Sequence, residues 1–520
     1  MKQRPSNNLG HLLAALGAGA ILVLIAILQS LSPGLLIQVY GVDTLFVLDV
    51  IERTARGEIP HSDFTLHLGA LPFAAISLLS DDTVEGFIRG QWALAASLIV
   101  TGGILARRRL GPWPTVFLLI SIVLLSTALS TLFDPRITLA LFYNRWAWAI
   151  ALIFLVATLI RPPENKRFWL DNVLIGILAM ALLTTKVTFF AILVPIAALA
   201  YAFDRRWRDI AATCLTCLAI AASVAAFWGV GFWLDYLENL IWVAENPIRK
   251  TAGQSFWDTA TSTSYIAHYV AYGFFLYLIA RTGKMSTTVV FLLLGPGLLF
   301  LQNQNFGQVP IWTCALAPIA LACRPTATKS NLTGNAAFQV VAAAFLLVSL
   351  LPLYTAAQST WRNAAPLPEG AVQMVPGADR LARIYATAPQ AGPVTERRIP
   401  LGDNPPKHLG TCHATSGFLR VFKGVADELS DLKLPVFVVD AQSMYWMQNG
   451  MTPLPGAAPW NYGSLRGLQN ASYVAIPRCP FKPSYQRAIL RHMENVGIRL
   501  TLVRKGEWVT VMRWEASQND

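Results

Sequence analysis

Apolar runs of about 20 residues recur along the chain between shorter polar segments. At about 1.5 Å per residue, a helix of that length crosses a hydrocarbon core of about 30 Å. The pattern predicts eleven membrane-spanning helices, over residues 11–31, 88–106, 114–132, 138–160, 171–185, 187–203, 210–230, 264–281, 286–301, 307–323 and 336–356. An odd number of spans places the two termini on opposite sides of the membrane.

Basic residues predict the orientation of these spans. They cluster after every second apolar run, as the positive-inside rule requires of cytoplasmic loops. The clusters are Arg107, Arg108 and Arg109; Arg161, Lys166 and Arg167; Arg205, Arg206 and Arg208; Arg281 and Lys284; and Arg324 and Lys329. The N-terminus is therefore expected in the cytoplasm and the C-terminus outside. Lys2 and Arg4 before the first run are also typical of a signal peptide, but the many later spans favour an uncleaved first helix.

Two of the predicted outer loops are long, residues 32–87 and 231–263. In the first, apolar residues recur at helical spacing from Val42 to Arg56, which predicts an amphipathic helix lying on the membrane surface. The apolar run from Leu66 to Leu79 is too short to span and predicts a second interfacial or re-entrant helix. Ser80 is expected to cap the helix that follows, with two aspartates in its first turn.

The composition becomes that of a globular domain from about residue 357, with many Pro and Gly residues. Its patterns predict buried strands over 436–439 and 473–476, a helix over 486–496, and a hairpin of strands 499–503 and 508–514. We therefore predict a transmembrane domain over residues 1–356 and an extracytoplasmic α/β domain over 357–520.

Composition and charge agree with a membrane location. Hydrophobic residues make up 54% of the 520 residues and charged residues only 13%, well below the proportion in globular domains. The net charge of +12 would suggest nucleic acid in a soluble protein. Because the positive residues lie at predicted cytoplasmic loops, no nucleic-acid partner is expected.

The cysteines divide between the two predicted domains. Cys412 and Cys479 are the two in the outer domain, where an oxidising exterior favours a disulfide between them. The other four lie in predicted spans, where cysteine behaves as a small hydrophobic residue; they are Cys214, Cys217, Cys314 and Cys323.

Acidic residues of the first outer loop are the first candidates for chemistry. Asp49 with Arg53 and Glu52 with Arg56 have the i,i+4 spacing of salt bridges on a solvated helix face. Asp43 has no basic residue at those spacings, so it is either a helix N-terminal acid or a functional one.

Asp63 follows a turn and precedes an apolar run, so it is either a helix cap or a functional acid. Arg145, near the outer end of the fourth span, either serves function or snorkels. Lys186 lies at an outer turn between two apolar spans with no acid nearby, where it could meet an anionic headgroup. The amides Asn303 and Gln304, in the cluster 302–305, either cap the ninth span or bind a polyhydroxylated ligand.

The order of these features resembles the polytopic glycosyltransferases of the C superfamily, which include protein mannosyltransferases and lipid A aminoarabinose transferases. The family has an acid after the first span and then a stretch of the type A-x(n)-G-x-x-P-Y-x-D-F. Here these are Asp43 and Ala55-Arg56-Gly57-Glu58-Ile59-Pro60-His61-Ser62-Asp63-Phe64. Leu71-Pro72, Arg89 and the basic run from Arg107 to Arg109 follow, and Thr184-Thr185-Lys186 is similar to the family's L-T-K stretch.

The resemblance implies transfer of a sugar from a polyprenyl-phosphate donor to a glycan, lipid or protein acceptor outside the bacterial inner membrane. It assigns Asp43 as general base and Asp63 as a second acid that orients the acceptor or the sugar. Arg145 and Lys186 would hold the donor phosphate, and His61, Asn303 and Gln304 would contact substrate. Thr44 stands where many members have a second acid, so no metal ligand is assigned, although a divalent cation remains possible.

Two other functions fit part of the pattern. A transporter or flippase of lipid-linked glycans would be expected to carry internal repeats with broken helices in matching positions. Gly295-Pro296-Gly297 is one such break, without a matching partner in the other half. A membrane scaffold whose outer domain binds a partner would leave Lys186 and the acids of the first loop unexplained.

Overall fold

The computed structural model describes residues 8–162, 169–251, 255–304, 309–324, 332–399, 405–448 and 450–516. Several residues of the sequence argument lie outside this part of the chain: Lys2, Arg4, Lys166, Arg167, Asn305 and Lys329.

All eleven apolar runs predicted to span the membrane contain a helix. The helices of the described residues are α1 (Asn8–Ser30), α2 (Gly41–Ala55), α3 (Leu71–Leu79), α4 (Thr83–Ala106), α5 (Pro112–Thr127), α6 (Phe142–Leu159), α7 (Trp169–Thr185), α8 (Val187–Phe203), α9 (Trp207–Trp228), α10 (Gly231–Glu245), α11 (Pro247–Thr251), α12 (Phe256–Ala260), α13 (Ile266–Arg281), α14 (Met285–Gln304), α15 (Thr313–Cys323), α16 (Leu332–Asn363), α17 (Ala388–Ala391), α18 (Phe418–Leu429) and α19 (Pro483–Asn495).

Six of these helices are long and apolar enough to cross a membrane: α1, α4, α6, α9, α14 and α16. Four shorter apolar helices, α5, α7, α8 and α15, lie among them. Helix α6 is apolar along most of its length and 94% of its residues are buried, as expected of a helix surrounded by other helices. It packs against α4, α5, α7, α8 and α15, and thus forms the centre of the bundle.

The part of the chain predicted to lie outside the membrane, called the outer domain below, contains three small sheets among the described residues. Strands β1 (Leu35–Ile37), β3 (Ile384–Ala386) and β2 (Val372–Gln373) form one, and β4 (Thr395–Arg398) pairs with β5 (Cys412–Ser416) in another. The third has the order β6 (Val436–Val438), β7 (Tyr473–Pro477), β9 (Val509–Glu515) and β8 (Arg499–Lys505). Strands β6 and β7 are parallel, whereas β8 and β9 form an antiparallel hairpin. The strands, helix and hairpin expected from the sequence are all present.

The first outer loop and the C-terminal region share one hydrophobic core, although they are far apart in sequence. Strand β1 pairs in parallel with β3, with Leu36 opposite Tyr385. Side chains of α2 and α3 pack in the same cluster as Phe422 and Val509. The outer domain of this structure therefore includes residues of the 32–87 loop as well as the C-terminal region.

Helix α2 forms where the amphipathic pattern predicted it, but its polar face is covered. The pair Asp49–Arg53 forms, with Arg53 Nε 2.8 Å from the Asp49 carboxylate, and both side chains are fully buried. Trp446 of the outer domain donates its indole N–H to the same carboxylate at 3.0 Å. The expectation of a solvated salt bridge is wrong here, because the C-terminal domain replaces water over this helix.

The second pair expected on α2 does not form. Glu52 accepts hydrogen bonds from Arg380 at 3.2 Å and Thr83 at 3.1 Å. The Arg56 guanidinium lies instead over the Trp446 ring, 4.8 Å from its centroid. Glu52 and Arg56 thus each interact with residues distant in sequence and not with each other.

The start of α4 also differs from the prediction. Ser80 follows the end of α3, and Asp82 is the N-cap of α4, accepting the Glu85 N–H at 2.8 Å. The capping chemistry was predicted correctly, but it lies two residues later.

The first basic cluster after a span is partly neutralised. Asp171 at the start of α7 accepts hydrogen bonds from Arg108 at 2.7 Å and Arg109 at 2.8 Å. Arg109 is buried and also donates to the carbonyl of Ala157 at 3.0 Å. These arginines belong to a basic cluster predicted to be cytoplasmic, and they also link the end of α4 to α6 and α7.

Candidate functional site

Asp43 lies at the N-terminus of α2, which is docked against the outer domain. A Cβ on Gly41 would come within 2.3 Å of the Phe418 ring, so α18 approaches this turn closely. The side chain of Gln442 donates to the Val42 carbonyl at 2.7 Å. These contacts fix the first turn of α2, and with it Asp43, beneath the C-terminal domain.

The Asp43 carboxyl lies in a poorly solvated and largely aromatic environment. Burial raises its pKa above the ordinary 3.8, and the positive charge of Lys482 acts in the opposite direction. Asp43 is within electrostatic range of the hydroxyls of Tyr143, Tyr462 and Tyr485. A carboxyl in such surroundings is a stronger base than an exposed aspartate.

Lys186 lies between α7 and α8 and points toward the same group of side chains. Its Nζ donates to Asn144 Oδ1 at 2.7 Å and lies 5.7 Å from the centroid of the Tyr143 ring. The Asn144 Nδ2 is buried and has no hydrogen-bond partner among the described residues. Tyr143 thus has Lys186 beside its ring, and its hydroxyl is within electrostatic range of Asp43.

A glycine allows the first outer loop to approach the Lys186 turn. Gly69 N donates to the Thr185 carbonyl at 3.3 Å. A Cβ on Gly69 would lie 1.9 Å from the Thr184 carbonyl oxygen, which no side chain can tolerate. Glycine is therefore required where the two backbones meet.

His67, two residues before Gly69, was not identified from the sequence. Burial, together with the charges of Arg249 and Lys186, lowers the pKa of His67 to about 3, so its ring is neutral. Its Nε2 lies 3.3 Å from the Tyr462 hydroxyl, and its ring stacks on Phe46 at 5.9 Å. A neutral imidazole at this position can hydrogen-bond a hydroxyl group. Because it carries no charge, it does not compete with the nearby cations for an anion.

Aromatic side chains of the outer domain form a wall beside Asp43 and His67. Tyr462 lies 5.3 Å from His67, 6.0 Å from Tyr485 and 5.9 Å from Trp242, measured between ring centroids. Trp460 contacts Phe46 edge-on at 5.8 Å. Rings in this arrangement present apolar faces and polar edges, which suits the faces and hydroxyl groups of a sugar.

Arg249 on α11 is a second cation that the sequence argument missed. Its charge acts on His67, Tyr462 and Lys186. It belongs to the second long outer loop, 231–263, to which no function was assigned. The described residues therefore bring together one carboxylate, three cations (Lys186, Arg249 and Lys482) and a set of aromatic rings.

Asp63 and His61 lie elsewhere in the first loop. Asp63 is exposed and accepts the Ile59 N–H at 2.7 Å, so it closes its own turn. His61 Nδ1 lies 2.9 Å from the Leu66 carbonyl, which requires the proton on Nδ1. Its ring stacks on Tyr236 at 4.3 Å, and burial lowers its pKa to about 4. Asp63 thus has a local structural role, whereas the Nε2 of His61 is buried and has no hydrogen-bond partner among the described residues.

Arg145 is fully buried and directed to the backbone. Its Nε donates to the Ala128 carbonyl at 3.1 Å and its Nη1 to the Ala140 carbonyl at 3.2 Å. It therefore ties the segment between α5 and α6 to the start of α6. These contacts support a structural role, and snorkelling to the surface is wrong for this residue.

The amides at the end of α14 face another part of the outer loops. Asn303 donates to Thr259 Oγ1 at 3.1 Å, which links α14 to α12. Gln304 is the last residue of α14 and is partly buried. The described contacts do not join either residue to the group around Asp43.

Cys412 and Cys479 form a disulfide in this structure, with their Cα atoms 4.6 Å apart. Glu396 lies close to both sulfurs, but disulfide sulfurs offer no thiolate for a metal. Around Asp43, cations and aromatic rings predominate among the described residues. That donor set suits an anionic ligand better than a divalent cation, which prefers several oxygen ligands.

No protein-family model matches the chain, and no curated protein matches it in sequence. Among solved structures it is similar to the crystal structure of ArnT from Cupriavidus metallidurans in the apo state, with a TM-score of 0.40 and 11% identity. The match covers 96% of this chain and 98% of that chain. A TM-score of this size transfers no site residues to this chain.

Proposed function

We propose that this chain is a membrane glycosyltransferase that moves a sugar from a polyprenyl-phosphate donor to an acceptor at the outer face of the bacterial cytoplasmic membrane. The observation that carries the proposal is that Lys186 lies 5.7 Å from the Tyr143 ring, while Asp43 is within electrostatic range of the Tyr143 hydroxyl. In this proposal, a carboxylate from a loop and a cation from a turn between two apolar helices act on the same substrate.

Asp43 is proposed to act as the general base. It accepts the proton of the acceptor hydroxyl while that oxygen bonds to the anomeric carbon of the sugar. The bond from the anomeric carbon to the donor phosphate oxygen breaks on the opposite face, with inversion. The released polyprenyl phosphate takes the electron pair.

Lys186 and Arg249 are proposed to stabilise the negative charge of the departing phosphate. Lys186 follows an apolar helix directly, so a polyprenyl chain can stay in the bilayer while its phosphate reaches this cation. Arg249 takes the place first assigned to Arg145, because the Arg145 guanidinium already donates to two backbone carbonyls.

His67 and Tyr462 are proposed to hold the sugar. The neutral imidazole and the phenol hydroxyl lie 3.3 Å apart and can share a sugar hydroxyl. Trp460 supplies an aromatic face next to them. Asp63, His61 and Asn303 each have a hydrogen-bond partner elsewhere, and Gln304 is the last residue of α14. We propose no direct contact of these four residues with the reacting groups.

Reconstitution into proteoliposomes with polyprenyl-phosphate sugars tests the proposal. Wild-type protein is expected to transfer sugar, and Lys186→Ala to lose about 10²-fold in rate, the typical loss when one charge-stabilising group is removed. Arg89→Ala is a matched control, because Arg89 is an exposed cation paired with Glu85. Equal transfer by the Lys186→Ala and control proteins would contradict the phosphate assignment.

A further inference from the structure

Asp440 is a buried carboxylate far in sequence from every residue assigned above. It is inaccessible to solvent and lies just after β6, before the short 3-10 helix Met444–Met447. Burying a carboxylate is costly unless its oxygens are satisfied by hydrogen bonds. Such a residue therefore requires a specific arrangement of donors around it.

Four donors surround the Asp440 carboxylate. The backbone N–H groups of Ala441, Phe481 and Lys482 donate at 2.6, 2.8 and 3.3 Å, and the Tyr445 hydroxyl donates at 3.2 Å. Two of the donors belong to the segment that leads into α19. The carboxylate thus holds residues 481 and 482 against the end of β6.

An amide could not replace this carboxylate. Each of the four donors needs an acceptor, and an ionised Asp offers acceptor sites on both oxygens. The Asp440→Asn substitution would replace one oxygen by an NH₂ group that faces N–H donors. The arrangement therefore selects Asp at position 440 specifically.

The held segment lies beside the start of α2. Phe481 packs against Phe418, with ring centroids 6.3 Å apart, and Phe418 is the ring that closely approaches Gly41. Gln442, two residues after Asp440, donates to the Val42 carbonyl at 2.7 Å. Residues on both sides of the Asp440 junction thus reach the turn that carries Asp43.

The same segment is fastened from its other side. The disulfide joins Cys479 to Cys412 of β5, and Thr411 N donates to the Arg478 carbonyl at 3.0 Å. Residues 478–482 therefore have little freedom, and the position of Lys482 follows from that of its backbone.

From this juxtaposition we infer that Asp440 is a positioning residue: it holds the backbone of Lys482 beside the turn of α2 that carries Asp43, so that the Lys482 charge acts on that carboxyl. The inference rests on the proposed function, because it gives the outer domain a role in setting the state of the proposed base. The outer domain then contributes to catalysis through Lys482 as well as covering the site.

Several groups act on Asp43, and Lys482 is the cation among them. The hydroxyls within electrostatic range belong to Tyr40, Tyr143, Tyr462 and Tyr485. Burial raises the pKa of Asp43, and the charge of Lys482 lowers it. Loss or displacement of Lys482 should therefore raise the pH at which Asp43 ionises.

The test measures ionisation of Asp43 without any turnover. In the reconstituted full-length protein, an infrared pH titration follows the protonated-carboxyl band, taken as the difference between each protein and its Asp43→Asn counterpart. Lys482→Met is expected to raise the midpoint by about one pH unit, the effect of losing one nearby opposite charge. Asp440→Asn is expected to raise the midpoint by a similar amount. The double variant with both substitutions should show the same midpoint as either single variant.

Asp431→Asn serves as the control, because Asp431 is an exposed carboxylate paired with Arg504 at 2.6 Å on the outer domain. Its midpoint should equal that of the wild type. An unchanged midpoint in Lys482→Met, or shifts that add in the double variant, would overturn the inference. If Asp440→Asn does not fold, Lys482→Met still decides whether Lys482 acts on Asp43, and Lys482→Arg should restore the midpoint.

This readout separates the inference from the proposed function. If the protein transfers no sugar, but Asp440→Asn and Lys482→Met raise the Asp43 midpoint equally, the positioning role of Asp440 stands and the glycosyltransferase function is contradicted. If the protein transfers sugar, but neither substitution changes the Asp43 midpoint, the glycosyltransferase function stands and the positioning role of Asp440 is contradicted.

Discussion

Asp43 and Asp63 are both aspartates of the same loop, yet their surroundings give them different chemistry. Asp63 is exposed and accepts a backbone N–H from its own turn. Asp43 is within electrostatic range of several tyrosine hydroxyls, and the described contacts include no hydrogen bond from its carboxyl to another side chain. The local sequence does not decide the role of either residue, because an aspartate carboxylate can serve equally as a helix cap or as a catalytic group. Only the position of the outer domain distinguishes them.

The ionisation of Asp43 predicts a pH dependence of transfer. A general base must be deprotonated, and burial raises the pKa of Asp43 above the ordinary 3.8. Transfer should therefore be lost at acidic pH and rise through a midpoint above 3.8. The same shift favours the protonated folded state, so its contribution to stability falls as pH rises through that window. Rates measured against pH check this, and a midpoint at or below 3.8 would contradict it.

At the scale of elements, two ion pairs with the same spacing behave differently. Arg53 pairs with Asp49, and Arg89 with Glu85, each at i,i+4 and 2.8 Å. The first pair is fully buried beneath the outer domain, whereas Arg89 is half-exposed. The sequence spacing predicts both pairs but cannot predict burial, which depends on Trp446 from a distant segment.

This difference predicts unequal effects of two matched substitutions. Arg53→Ala leaves the Asp49 carboxylate buried without its cation and should lower the free energy of unfolding by about 3–5 kcal/mol. Arg89→Ala removes an exposed pair and should cost at most about 1 kcal/mol. Thermal unfolding of both variants in the same detergent is the measurement. Similar losses would mean that α2 is solvated after all.

Much of the element structure was predictable, since apolar runs, turns and strand alternation are local signals. Helices formed in all eleven apolar runs, and the 499–514 hairpin formed around its predicted turn. The contacts of Gly69 and Lys482 were not predictable, because they depend on approaches between segments that are distant in sequence. Asp43 and Lys186 were named as candidates from the sequence and stay predictions, whereas His67, Arg249 and the aromatic wall were recognised only in the fold.

At the scale of the whole molecule, the first outer loop and the C-terminal region fold around one core. The parallel pairing of β1 with β3 requires both segments on the same side of the membrane. The prediction that the C-terminal domain lies outside therefore applies equally to residues 32–87.

Topology reporters check this placement. A periplasm-active reporter fused after residue 520 should be active, and a cytoplasm-active reporter at the same place should be silent. Single cysteines placed in the exposed Gly57 turn should react with a membrane-impermeant maleimide from outside. A reporter pattern that places either segment in the cytoplasm would reverse the predicted orientation, and opposite sides for the two segments would contradict the fold.

The central claim is that the carboxyl of Asp43, rather than the other loop acid, takes the acceptor proton. The most direct measurement compares transfer rates of Asp43→Asn and Asp63→Asn in proteoliposomes supplied with the same polyprenyl-phosphate sugar. We expect Asp43→Asn to lose about 10²-fold or more, the contribution typical of general base catalysis. Asp63→Asn should stay within a few-fold of the wild type. Wild-type rates in Asp43→Asn, or the larger loss in Asp63→Asn, would contradict the account.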